Sequence, residues 1–198
     1  MNNIQLPKHF FEDNPLDEGS AAVLTYFRML TIALPDINEQ MDQIIISQME
    51  KSRYEQCMSE REYIENLKNP EDIVSCMRKI QDPANTYLLI RKAIAYQDEV
   101  VPLVLKKICR SGHDVFIENA FLLLGNADIK YTEDLYAIFP EIRNAYARSE
   151  LCIVFGHKEK TEYTSLIMEQ FKKIMEERPD EDLDQGPLLA LYLLYEEV

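Results

Sequence analysis

"AFLLLGNADIKYTEDL" occupies Ala120–Leu135, and "LCIVFGHKEKTEYTSL" begins 31 residues later, over Leu151–Leu166. Each opens with an apolar run closed by one glycine, Gly125 or Gly156. Each then passes through a polar connector and a threonine with acidic company, Thr132 or Thr161, into a new apolar rhythm. The glycine reads as the left-handed residue that ends a buried helix. The threonine reads as the start of the next helix. The connector is shorter in the second copy, Gly156 to Thr161 against Gly125 to Thr132. That slippage suits a structural joint rather than a catalytic loop. The echo marks the seam of a repeat.

Outward from the seam, apolar residues recur at spacings of three and four. They are Ile73, Val74, Met77 and Ile80; Val100, Val101, Val104, Leu105 and Ile108; Leu135, Ile138, Phe139 and Ile142; and Tyr163, Ile167, Phe171 and Ile174. This is the amphipathic helix pattern. No stretch alternates as a strand does, so the expected class is all-α. Asn69 before Pro70, Glu71 and Asp72 predicts a capped helix start. Asp36 and Glu39 have capping-box spacing. Pro102 is expected in the first turn of its helix, where a missing N–H costs little. Pro140 is expected to end or kink the helix begun near Thr132, with a turn at Arg143 and Asn144.

After each amphipathic helix comes a more apolar one: "TYLLIRKAIAYQ", "DVFIENAFLLLG", "YARSELCIVFG" and "GPLLALYLLYEE". The expected units are helical pairs at about 70–98, 99–128, 129–159 and 160–198. A period near 30 residues is that of α-solenoids, in which stacked pairs bury a continuous core. Residues 1–69 are different: an extended lead-in, a helix at "SAAVLTYFRMLTIAL" stopped by Pro35, and a long polar–apolar stretch that is one bent helix or two. This region is expected to cap the first pair.

The units resemble HEAT-type repeats. "FIENAFLLLGNAD" is similar to the second half of that motif through Ala120, Leu124 and Gly125, and "ARSELCIVFGHKE" through Arg148, Phe155 and Gly156. Ile117 stands where the preceding unit would carry the family's arginine, a departure. "QDPAN" resembles the Asp-Pro turn between paired helices. The resemblance covers about 70–198 and implies a right-handed α-solenoid of about four hairpins behind an N-terminal helical cap. It also implies a non-catalytic scaffold that binds a protein through the second-helix, usually concave, face.

Lys plus Arg number 21 and Asp plus Glu 35, a formal charge of -14. That field repels a phosphate backbone and an anionic membrane, and favours a cationic protein partner. It disfavours the DNA-glycosylase members of HEAT-like architecture. No apolar run approaches the roughly 20 residues of a spanning helix, and the N-terminus lacks a signal-peptide pattern. A cytoplasmic location is expected. Cys57, Cys76, Cys109 and Cys152 form no CxxC pair and read as small buried hydrophobes.

No nucleotide-binding, HExxH or GxSxG motif occurs. His113 and His157 read as solvated loop residues, and the acids from Glu177 to Asp184 lack EF-hand spacing. No catalytic, cofactor or metal residue is expected. The candidate partner-binding residues are Arg91, Lys92, Glu118, Asn119, Arg148 and Glu150, polar groups that interrupt the apolar second helices. They either occupy the solvent side of those helices or form an ordered charged ridge. Tyr96, Tyr131, Tyr146 and Tyr163 sit near helix ends, within reach of solvent. Three functions remain open: a scaffold or adaptor, an acidic inhibitor or immunity-type protein neutralising a basic toxin or nuclease, and an enzyme with a cryptic site. The C-terminal helix, apolar on nearly all sides, suits pairing with a second copy as a homodimer.

Overall fold

The computed structural model describes residues 6–24, 43–44 and 46–195. Every regular element among them is helical. Helix α1 is a single turn, Phe10–Asp13. Then come α2 (Lys51–Asn66), α3 (Pro70–Cys76), α4 (Pro83–Ala95), α5 (Gln97–Ile108), α6 (Asp114–Asn126), α7 (Tyr131–Ile138), α8 (Ala145–His157), α9 (Thr164–Glu177) and α10 (Gln185–Tyr195). The Asp36 and Glu39 capping box, and most of the helix expected before Pro35, lie outside the described residues.

The local chemistry of the starts and stops is plain. Asn69 Oδ1 accepts from the Glu71 N–H at 2.9 Å, with Pro70 at the first helical position. Asn144 caps α8 in the same way through the Ala147 N–H at 3.1 Å. Helix α7 stops at Ile138, and Pro140 falls in a 3-10 turn over Phe139–Glu141. Two expectations fail here. Helix α5 begins at Gln97, only Tyr96 separating it from α4, so Pro102 lies in the helix interior rather than the first turn. Its exposed ring leaves the Asp98 carbonyl without its intrahelical donor on the solvent side. Helix α3 ends at Cys76, so Ile80 leaves the apolar face and is 84% exposed in the turn beyond.

The helices pack in two series. Along one, α2, α4, α6, α8 and α10 each touch the next. Along the other, α3 packs on α5 and α5 on α7. Contacts of α3 with α4, α5 with α6, and α9 with α10 join the series. One hydrophobic cluster runs through both, from Phe10 and Ile64 to Tyr192. An aromatic knot ties α7, α8 and the start of α9: Tyr136 stacks on Tyr163 at 4.4 Å, and Phe155 meets Tyr163 at 4.9 Å.

Gly125 and Gly156 do not act as left-handed caps. Both lie inside helices, α6 and α8, and no glycine among the described residues has a positive φ. The left-handed residue after α8 is Glu159, at φ 53°. Gly156 is required by close approach instead, because a Cβ there would sit 2.7 Å from the Ala190 carbonyl oxygen in α10. Gly186, in α10, faces Ser149 of α8 in the same way. The backbones of α8 and α10 therefore meet directly at Gly156, and at Gly186 the α10 backbone lies against the Ser149 hydroxyl and carbonyl.

The N-terminal lead-in does not lie at the first pair. It carries the α1 turn and closes the far end of the molecule. Phe10 meets Phe171 edge-on at 5.7 Å, and Phe11 lies 4.4 Å from Tyr192. The Tyr192 hydroxyl donates to the Phe11 and Asn14 carbonyls, each at 3.2 Å. Helix α10 is apolar on all sides because α8, α9 and this lead-in surround it, leaving Leu188–Tyr192 buried. The surplus of apolar surface that suggested a homodimer is thus covered within the chain.

Candidate functional site: the acidic pair of the second-helix series

Asp114 and Glu118 stand four residues apart on α6, and Tyr146 and Glu150 stand four apart on α8. Residues at that spacing share a helix face. Because α6 packs against α8, the two faces combine into one patch. The Tyr146 hydroxyl reaches Glu118 Oε1 at 3.5 Å. Glu150 is half-buried, and burial, followed by the nearby Glu118 charge, pushes its carboxyl up to about 7. Burial, then Glu150, Glu118 and Asp114, drives the Tyr146 phenol well above its ordinary value. Among the described residues, neither Glu118 nor Glu150 has an ion pair. Two carboxylates therefore share a partly dehydrated patch without a cation between them. A guanidinium or ammonium group would relieve both the desolvation and the mutual repulsion.

The other candidates separate from this pair. Asn119 is buried at 4% exposure, and its side chain donates to the Met77 carbonyl at 2.9 Å. It joins α6 to the end of α3 and offers no surface. Arg148 is half-buried and turns back to the Ile142 carbonyl at 2.8 Å, its Nε enclosed without a partner. Lys92 bonds the Glu65 carbonyl at 2.6 Å, satisfying an acceptor at the end of α2. Arg91 lies beside it on α4, also half-buried. The structure brings together Glu118 and Glu150 and assigns Asn119, Arg148 and Lys92 to internal joints. Tyr146 completes the pair's surroundings, whereas Tyr131 and Tyr163 are buried and leave the expected exposed set. Glu118 and Glu150 stand 32 residues apart, one more than the 31-residue echo, in whose register Glu150 answers to Asn119, so the repeat pattern alone does not link them.

The histidines and cysteines are held in other ways. His113 caps α6, its Nδ1 accepting from the Phe116 N–H at 3.4 Å. His157 is not a loop residue. It lies half-buried in the last turn of α8, where burial, and then Lys158, lower its pKa and favour the neutral ring. All four thiols are free and buried, and burial raises each above its ordinary value. No helix among the described residues is long and apolar enough to cross a membrane. No family model, curated protein or solved structure matches the chain.

Proposed function

We propose that the protein is a non-catalytic scaffold or adaptor, a HEAT-like α-solenoid that holds a partner protein on its second-helix face, with α6 and α8 at the centre. The observation that carries the reading is Glu150, half-buried and raised to about 7 beside Glu118 with no cation supplied from within the described chain. A partner's arginine or lysine inserted between them gains a charge-assisted hydrogen bond and removes a standing repulsion. The helical pairing supports the architecture: successive pairs add to one core, and the even-numbered helices form an unbroken series.

A second reading is favoured by the charge of -14. An acidic inhibitor or immunity-type protein that neutralises a basic toxin or nuclease would use the same pair, its field speeding association. Affinity capture from native lysate tests both. Wild-type protein is expected to retain a specific partner that Glu118→Lys with Glu150→Lys releases, at low and high salt alike. A partner whose retention is unchanged by that double reversal rules out this face. A partner lost at high salt alone, and strongly basic, favours the inhibitor reading over the scaffold.

A further inference from the structure

A cleft of about 820 Å³ opens between the turn after α3, the C-terminal half of α5 and the α5–α6 turn. Its lining carries four fixed cations, Arg78, Lys106, Lys107 and Arg110, against a single carboxylate, Glu71. This inverts the balance of a chain whose formal charge is -14. Lys106 and Lys107 lie in the last turn of α5, where they complement the negative end of the helix. That accounts for two charges on one helix, but not for Arg78, which arrives from another. Lys106 and Arg110 also border a neighbouring hollow of about 710 Å³ with Asp134 and Glu141 on its wall. Arg78 and Lys107 line the first cleft only. None of the four is in an ion pair among the described residues.

The cleft is not uniformly polar. Leu103, half-buried, also lines it and gives it some apolar surface among the cations, whereas Phe116 in the same wall is buried. The α6 N-terminus opens beside it, with Ser111 and His113 in the wall, and adds the positive end of a helix. A volume of this order accepts a few side chains rather than a folded domain. A long phosphate backbone would meet the repulsion of the whole acidic molecule. A short anionic segment meets only the local field.

We propose that this cleft docks an anionic segment of a partner protein, with an apolar side chain against Leu103 and flanking carboxylate or phosphate groups on Arg78 and Lys107. An arginine offers such groups two parallel N–H donors. The site lies outside the Glu118 and Glu150 patch and stands or falls separately from it.

Fluorescence anisotropy with short dye-labelled peptides tests the assignment. One peptide has a leucine flanked by glutamates, the second has phosphoserines in their place, and the third has lysines. At least one anionic peptide is expected to bind, with affinity falling as salt rises, and the lysine peptide is not. The two anionic arms identify whether carboxylate or phosphate is preferred, and inorganic phosphate is expected to compete only if phosphate is. Arg78→Glu with Lys107→Glu is expected to weaken binding by about tenfold or more, and Arg78→Gln with Lys107→Gln by a few-fold. The glutamine pair changes no buried group, and its melting curve verifies the fold. Glu118→Lys with Glu150→Lys is expected to leave peptide binding intact. Absence of binding by both anionic peptides overturns the proposal. So does binding that the glutamine pair leaves unchanged.

Discussion

The two ends of the even-numbered helix series are joined by opposite means. At the C-terminal end, α8 and α10 approach closely at two glycines: Gly156 lies on the Ala190 backbone, and Gly186 on the hydroxyl and carbonyl of Ser149. At the N-terminal end, α2 and α4 are bridged by polar side chains. Asn85 Nδ2 donates to the Cys57 carbonyl at 2.9 Å and to Glu60 Oε2 at 2.7 Å, and Arg53 reaches Asp82 at 2.8 Å. A joint of small residues gains from dense dispersion contact and tolerates no added atom. A polar joint tolerates modest changes of volume but not the loss of a donor. The same helical pairing is thus held by two different physical devices.

The largest expected effect tests the dry joint. Gly156→Ala would press its methyl group onto the Ala190 backbone, where the contacts would be 2.7 and 2.8 Å. Backbone cannot swing aside as a side-chain tip can, so the loss of stability is expected to be about 3 kcal/mol. Urea unfolding followed by circular dichroism measures it. A loss of only a few tenths would mean that α10 slides freely on α8 and that the contrast between the ends is false.

Asn85→Ala tests the polar joint. The side chain is fully buried, and its removal takes a second donor from the Cys57 carbonyl, which keeps its helical partner, and withdraws a donor from Glu60. A cost of about 2 kcal/mol is expected, with Asn85→Asp at least as harmful because it puts a carboxylate beside Glu60. If alanine proves neutral in the same urea experiment, the bridge does not hold α2.

Much of this was legible in the sequence, and the reason lies in the range of each interaction. Asn69, Asn144 and Pro140 act within one helical turn, so their roles follow from neighbours a few residues away. The all-α class follows for the same reason. The role of Gly156 depends on Ala190, which no local pattern points to, and a C-cap was the local guess. The N-terminal lead-in was misplaced because Phe10 finds Phe171 only across the whole chain. At the candidate site, Glu118 and Glu150 were visible as interruptions of apolar helices, but so were Asn119 and Arg148, which point inward. Direction around a helix axis separates them, and one polar residue in an apolar run does not fix it. The basic cleft was partly written in "KKICR", Lys106 to Arg110, yet Arg78 joins it only through the packing of α3 on α5.

Glu150 links this contrast to pH. Its folded-state pKa, about 7, lies above the ordinary 4.5, so the folded state holds its proton longer than the unfolded one does. Below pH 4.5 both states are protonated and the residue costs nothing. As pH rises through the interval the penalty grows, and it is complete above about 7. The shift corresponds to roughly 3 kcal/mol, and residual solvent contact reduces it to about 2. Glu150→Gln is therefore expected to stabilise the protein by about that amount at pH 8 and hardly at all at pH 4. Paired urea titrations at the two values are the measurement. An equal effect at both would assign the gain to packing and remove the charge argument from the acidic pair.

The smallest expected effect is the most discriminating. Gly125 and Gly156 hold the same position in the sequence echo, each next to last in its helix. A capping role would make alanine costly at both. Close approach makes it costly only at Gly156, since a Cβ on Gly125 meets nothing nearer than the His157 ring at 3.9 Å. Gly125 also has no positive φ to forbid a side chain. Replacing a helical glycine with alanine reduces the entropy lost on folding, so Gly125→Ala is expected to stabilise by up to about 1 kcal/mol. Opposite signs for the two substitutions in one denaturation series would separate packing from capping. Destabilisation at Gly125 would return the echo to a capping motif and withdraw the reason given for Gly156.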